Sequence, residues 1–249
     1  MNAPDIGNPV VLITGAARRI GAELARLFHH AGYRVVIHYN RAAADADKLC
    51  ESLNKDRPDS CLLVQGDLND DAGLARIVTL IKSVGSLHVL INNASSFYPT
   101  PLAQTDDNQW NDLINSNLKG PFFLCKELAP LLQASAGTIV NISDMHARQA
   151  LKEHPIYSIA KAGNIAMTKS LALELAPKVR VNSVAPGAIL WPEHESDDQQ
   201  KQQSVLGKVP MGRLGRESDI AECVFFLAVG ATYMTCLLYT SDAADDGTG

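Results

Sequence analysis

Residues 9–21 read PVVLITGAARRIG: an apolar run from Pro9 to Thr14, Gly15, two arginines, and a second glycine at 21. The run is short and rich in β-branched residues, which predicts a strand buried on both faces. Ile20, Leu24, Leu27 and Phe28 then recur at helical spacing, and Gly32 closes the helix. The same unit repeats down the chain. Strands are expected at 34–39, 61–65, 88–92, 138–142 and 179–184. Helices are expected over 42–54, from GDLNDD to about 84, over 107–132 and 155–175, and over 218–229 with Ser218 as N-cap. Strand–helix alternation with short connections implies one α/β domain: a Rossmann-type, doubly wound parallel sheet with helices on both faces. In such sheets ligands bind beyond the carboxyl ends of the strands.

Composition excludes several classes. The chain has 249 residues, 22 Lys+Arg against 27 Asp+Glu, and a net charge of -5, so it lacks the basic surplus of a nucleic-acid binder. At 46% hydrophobic and 20% charged residues it is not a disordered chain. No run reaches the roughly 18 apolar residues of a membrane span, and MNAPDIGNP lacks the regions of a secretory signal. Five cysteines (Cys50, Cys61, Cys125, Cys223, Cys236) without CxxC spacing point to reduced thiols in the cytoplasm. His29, His30, His88, His146, His154 and His194 have no ligand-spaced partners, so no metal is expected.

Four motifs carry chemistry. The turn from Gly15 to Gly21 can aim backbone amides and a helix N-terminus at a pyrophosphate, with Arg18 and Arg19 adding charge; a solvated basic turn is the alternative. After the second strand comes His38-Tyr39-Asn40-Arg41, with no acid to bond a ribose hydroxyl; Arg41 beside Asn40 can pair a 2′-phosphate, which favours NADP(H). Asn92-Asn93-Ala94-Ser95 follows the fourth strand, where the asparagines can also simply satisfy turn backbone. Tyr157 and Lys161 share a helix face, where an ammonium would lower the phenol pKa. Asp144 ends the fifth strand thirteen residues before Tyr157 (157 − 144 = 13).

TGAARRIG, NNAS, NLK, Tyr157-Ser-Ile-Ala-Lys161 and Asn182-Ser-Val-Ala-Pro-Gly187 together resemble the short-chain dehydrogenase/reductase family over residues 9 to 235. Three departures mark the pteridine reductase branch: Arg19 in place of the middle glycine of TGxxxGxG, Asp144 in place of the family's serine, and Ser95 after NNA. HYNR, Asn92–Leu102 and Pro186–Glu193 add to that likeness. The resemblance implies NADPH-dependent reduction of dihydropterin or dihydrofolate to the tetrahydro forms. Tyr157 would donate the proton, Lys161 would tune it and hold the ribose, Asn117 would steady a water chain, and Asp144 would serve a ring nitrogen. Phe97 would stack on the pterin, and Arg19 and Ser95 would bond its edge or the phosphates. Asp67 and Leu68 would meet the adenine; Ile20, Asn93 and Ala94 belong to the cofactor motifs; Pro186 and Gly187 would border the nicotinamide. A homotetramer is the family's assembly.

Two alternatives stand beside that reading: a reductase of an acyl or sugar carbonyl, and an inactive NADPH-binding module. Trp110 is expected to pack with Leu113 and Ile114. Trp191 can wall a substrate or anchor a loop, and the polar run 193–204, with Glu193–Asp198 at its head, can be a lid or a solvated loop. Residues 236–249 match nothing in the family pattern and read as an artefactual junction replacing the native last strand. The sheet is therefore expected to lack that strand, with weakened stability and assembly.

Overall fold

The computed structural model describes residues 8–187, 189 and 209–240. Seven parallel strands form one sheet in the order β3-β2-β1-β4-β5-β6-β7. They are β1 (Val10–Ile13), β2 (Arg34–Tyr39), β3 (Cys61–Gln65), β4 (Val89–Asn92), β5 (Thr138–Ile142), β6 (Arg180–Ala185) and β7 (Leu238–Thr240). The α-helices are α1 (Arg19–His30), α2 (Ala43–Asp56), α3 (Asp71–Val84), α4 (Asp107–Ile114), α5 (Gly120–Ala134), α6 (Pro155–Leu175) and α7 (Glu217–Phe225). The strand order reverses between β1 and β4, where such sheets open a crevice.

The two faces of β1 show why the sheet is covered on both sides. Val11 and Ile13 pack with Leu24 and Phe28 of α1, Leu49 of α2 and Ile220 of α7. Val10 and Leu12 pack with Ile77 of α3, Leu128 of α5 and Leu171 of α6. Successive residues point to opposite faces, so a strand buried on both reads as an unbroken apolar run.

One expectation gains a detail and two change. The helix expected over 107–132 runs without a gap from Asp107 to Ala134, with a wider, π-helical turn, Asn115–Lys119, between α4 and α5, where the Gly120 N–H reaches back to the Asn115 carbonyl. Pro121 suits this turn. It has no N–H to give the carbonyl of Asn117 four residues earlier, and the Asn164 amide of α6 donates there instead, at 3.3 Å. Second, α7 begins at Glu217, and Asp219 accepts the Arg216 N–H at 2.8 Å; Ser218 lies inside the helix and is not its N-cap.

Third, the sheet does have an edge strand. Leu238–Thr240 pairs in register with Ser183–Ala185 of β6. Side chains of β6 place it. Asn182 donates to the Met234 carbonyl at 2.8 Å and accepts the Leu237 N–H at 3.2 Å. The Arg180 guanidinium donates to the carbonyls of Leu227, Ala228 and Ala231 at 2.7–2.9 Å, closing the π-helical turn Phe226–Gly230 that continues α7. Two β6 residues thus fix the approach to β7 whatever β7's own sequence. Trp191, the run 193–204 and residues 241–249 lie outside the described residues.

Replacing Arg180 by Met would strand several carbonyls of a helix end at once. The expected loss is about 2 kcal/mol or more, read as a lower urea midpoint at unchanged m-value; an unchanged midpoint would refute the closure role.

Candidate active site

A cleft of about 870 Å³ lies over the carboxyl ends of β1, β2, β4, β5 and β6. The cofactor and substrate positions named from sequence all line it; Asn117 stands behind it.

The floor is braced by side chains. Thr14 Oγ1 accepts the amides of Asn93 and Ala94 at 2.9 and 3.0 Å. Asn93 Nδ2 donates to the carbonyls of Thr14 and Gly15. The Asn93 side chain therefore satisfies turn backbone. Asn92 runs inward to Asn141 Oδ1 at 2.8 Å, and Asn141 to Thr168 Oγ1 at 2.8 Å. His38 is buried, with Nδ1 accepting the Gly15 N–H at 3.2 Å and Nε2 against the Gly66 carbonyl at 3.0 Å. Those partners require the proton on Nε2, and burial keeps the ring neutral. His38, expected among the cofactor contacts, lines the cleft, and both its nitrogens are engaged beneath the turn.

The turn fits a dinucleotide. Gly15 adopts φ +63°, and a Cβ there would come within 2.9 Å of the Ala94 Cα; one on Gly21 would meet the Gly15 carbonyl at 2.4 Å. Only glycine fits either place. The α1 N-terminus has neither a side-chain cap nor an acid in its first turn, so its amides are left for an anion. Arg19 keeps the left-handed backbone of the glycine it replaces, φ 51°, at a cost of about 1 kcal/mol. Arg18 is held by Asp45 at 2.6 Å, while Asn40 and Arg41 are exposed at the rim.

The reactive end sits between β5 and α6. The Tyr157 hydroxyl donates to Asp144 Oδ2 at 2.6 Å, and Lys161 Nζ donates to the Ile142 carbonyl at 3.0 Å. Tyr157 and Lys161 are 4% and 2% exposed, so both are removed from bulk solvent. The phenol pKa moves up rather than down. Burial, the Asp144 charge and the bond to Asp144 raise the Tyr157 pKa, with the Ser95 hydroxyl acting weakly the other way. Burial is the leading cause; beyond it, the carboxylate bonds the phenol oxygen, while the ammonium lies 5.6 Å from the ring centre. Burial in turn lowers Lys161 from 10.5 to about 8, against the pull of Asp144. The phenol is thus a firmly protonated donor.

Ser95 Oγ donates to Asn117 Oδ1 at 2.6 Å, and Asn117 Nδ2 donates to the carbonyls of Ser96 and Leu113. That side chain is committed to the loop after β4. Phe97, 55% exposed, stands edge-on to Tyr157 at 4.8 Å and stacks on His154 at 4.7 Å. Trp110 is 44% exposed, less packed than its spacing implied. Asp67 and Leu68 line the β3 side, and Pro186 and Gly187 the β6 side. Sequence reasoning passed over Thr14 as a brace, and Asn69, Tyr98 and Asp112 as cleft residues. Tyr98 adjoins Phe97, but nothing marks Asp112 on an amphipathic helix.

Below pH 8 the folded protein carries a buried Lys161 charge that the unfolded chain solvates. Between about 8 and 10.5 only the unfolded chain holds that proton, so stability rises with pH there. Lys161→Met should therefore be more stable than the parent at pH 7 by on the order of 3 kcal/mol. The gain should shrink as pH nears 10.5; urea unfolding at both pH values checks it, and a loss at pH 7 would contradict the burial penalty.

A family model described as Enoyl-(Acyl carrier protein) reductase matches residues 15–243, beyond residue 235 where the family pattern was read as ending. Pteridine reductase 1 of Leishmania tarentolae is 35% identical, over 91% of this chain and 92% of its own. A 3-oxoacyl-[acyl-carrier-protein] reductase of Staphylococcus aureus strain Mu50 is 33% identical, over 90% and 92%. With the parallel sheet, the glycine cradle and the Tyr–Lys pair in place, this chain belongs to the short-chain dehydrogenase/reductase family of oxidoreductases.

Proposed function

We propose that the protein is an NADPH-dependent reductase of pterins, taking dihydropterin or dihydrofolate to the tetrahydro level. The observation that carries this reading is the 2.6 Å contact between the Tyr157 hydroxyl and the Asp144 carboxylate. A carboxylate there would repel the alkoxide that develops on a reduced carbonyl. A pterin, by contrast, offers ring nitrogens that a carboxyl group can pair with or relay a proton to. The relative named as a pteridine reductase supports it.

The cofactor supplies the hydride. Tyr157 delivers the proton, and the Asp144 carboxylate, which accepts from the phenol, can pair with a protonated ring nitrogen. Lys161 holds the ribose hydroxyls from its buried seat. The exposed face of Phe97 stacks on the flat heterocycle, worth about 0.5–1.5 kcal/mol beyond area burial, while Ser95 and Arg19 take its polar edge or the phosphates. Arg41, with Asn40, pairs the 2′-phosphate; Asp67 and Leu68 meet the adenine. Residues 1–235 are read as one such domain, assembling as a cytoplasmic homotetramer. Reduction of a carbonyl is the second reading, favoured by the comparable identity to the 3-oxoacyl reductase.

Purified protein assayed for cofactor oxidation with NADPH and NADH, each crossed with dihydrobiopterin, dihydrofolate and an acetoacetyl thioester, tests these readings. Fastest turnover is expected with NADPH and a pterin. Faster reduction of the thioester would establish the second reading, and cofactor binding without turnover would mean a binding module. Tyr157→Phe should lower turnover by about 10²-fold or more while leaving the NADPH dissociation constant in place; a retained rate would remove its role as donor.

Arg41→Ala should weaken NADPH by about tenfold or more, as loss of a charged hydrogen bond implies, and NADH little. Equal weakening of both, measured by fluorescence titration, would overturn the 2′-phosphate assignment.

A further inference from the structure

One carboxylate joins two walls of the cleft that come from different parts of the chain. Asp112, on α4, accepts from Asn69 Nδ2 through Oδ1 at 2.7 Å and from the Tyr98 hydroxyl through Oδ2 at 2.9 Å. All three residues line the cleft. Asn69 follows β3, and its N–H donates to Asp67 Oδ1 at 2.9 Å, so it is bonded to the wall assigned to the purine. Tyr98 follows β4 and adjoins Phe97, on the wall assigned to the heterocycle.

The carrier of the carboxylate is itself fixed. A reciprocal pair between Asp106 and Gln109 caps α4, at 2.8 and 3.1 Å, and Ser116 Oγ donates to the Asp112 carbonyl at 2.7 Å. The Tyr98 phenol is pushed up to about 12 by burial and by Asp112, so it stays a donor across the working pH range. Asn69 Oδ1 is buried without a partner, which leaves its amide donor as the group that sets the side chain. Both arms are thus donor-to-carboxylate bonds, the stronger kind, and both end on the same group.

We propose that Asp112 is a positioning residue that holds the purine-side and heterocycle-side walls in one arrangement, each through one carboxylate oxygen. The inference rests on the reading above for which ligand each wall takes. Its consequence is separable. Cutting the Asn69 arm loosens the cofactor end, cutting the Tyr98 arm loosens the substrate end, and removing Asp112 does both. The reacting groups, on β5 and α6, are left in place.

The test is NADPH titration by fluorescence together with steady-state kinetics, on the full chain, for Asn69→Ala, Tyr98→Phe, Asp112→Ala and the Asp112→Ala/Tyr98→Phe double variant. Asn69→Ala should raise the NADPH dissociation constant three- to tenfold with substrate KM within twofold. Tyr98→Phe should raise KM three- to tenfold with NADPH affinity within twofold. Asp112→Ala should do both with kcat within twofold, and the double variant should be no worse than Asp112→Ala alone. The proposal is overturned if Asp112→Ala leaves both constants within twofold, if it lowers kcat alone, or if the double variant is additive. Should Asp112→Ala fail to fold, the opposite responses of the two single-arm variants decide the matter. If the parent reduces no pterin or folate, the reading of the substrate fails by itself; KM is then taken on the compound it does reduce, and the NADPH titration stands unchanged.

Discussion

Parallel strands that end together leave a row of backbone groups with no strand beyond to pair them, and buried groups of that kind must find partners. Here side chains provide them. Thr14, His38 and Asn93 close the ends of β1, β2 and β4, and each does so by bonding the turn that follows a neighbouring strand. The cleft floor is therefore rigid before any ligand arrives. Asn92, Asn141 and Thr168 continue the same polar seam into the core, tying β4 and β5 to α6, the helix that carries Tyr157 and Lys161. The position of the reactive phenol is set by the way the sheet solves its own hydrogen-bonding problem.

On that floor the electrostatics work against solvation. A lysine buried to this degree lowers stability, and a phenol bonded to a carboxylate is hard to ionise. Neither feature helps the fold. Both make sense where a proton must be held at one atom until a neighbouring bond changes, which is the kind of local cost that functional sites carry.

Much of this was legible in the chain. The order and approximate bounds of β1 to β6 follow from short apolar runs between glycine turns, because a strand buried on both faces has no alternation to obscure it. The cleft residues were legible for a similar reason: turn glycines and the Tyr157–Lys161 spacing are local. What escaped was long-range. The acidity of Tyr157 is set first by burial and then by Asp144, which reaches it from thirteen residues away. The brace that His38 gives the turn was not legible, because its partners Gly15 and Gly66 are both remote in sequence. The edge strand was missed because β7 is placed by Arg180 and Asn182 of its neighbour, so its own residues carry little signal. The π turn before α5 was in principle readable, since Pro121 must leave the Asn117 carbonyl without a helical donor.

Arg19 narrows what this turn can become. Its backbone sits where glycine is at ease, yet its side chain puts a cation at the mouth of the cradle. Most single substitutions would keep the strain and lose the charge, and β-branched ones would add strain of their own. Glycine would relax the loop but give up the cation, and lysine would keep the charge without the planar fork. Mutational drift at this codon is thus hemmed in from both sides, by stereochemistry and by anion affinity.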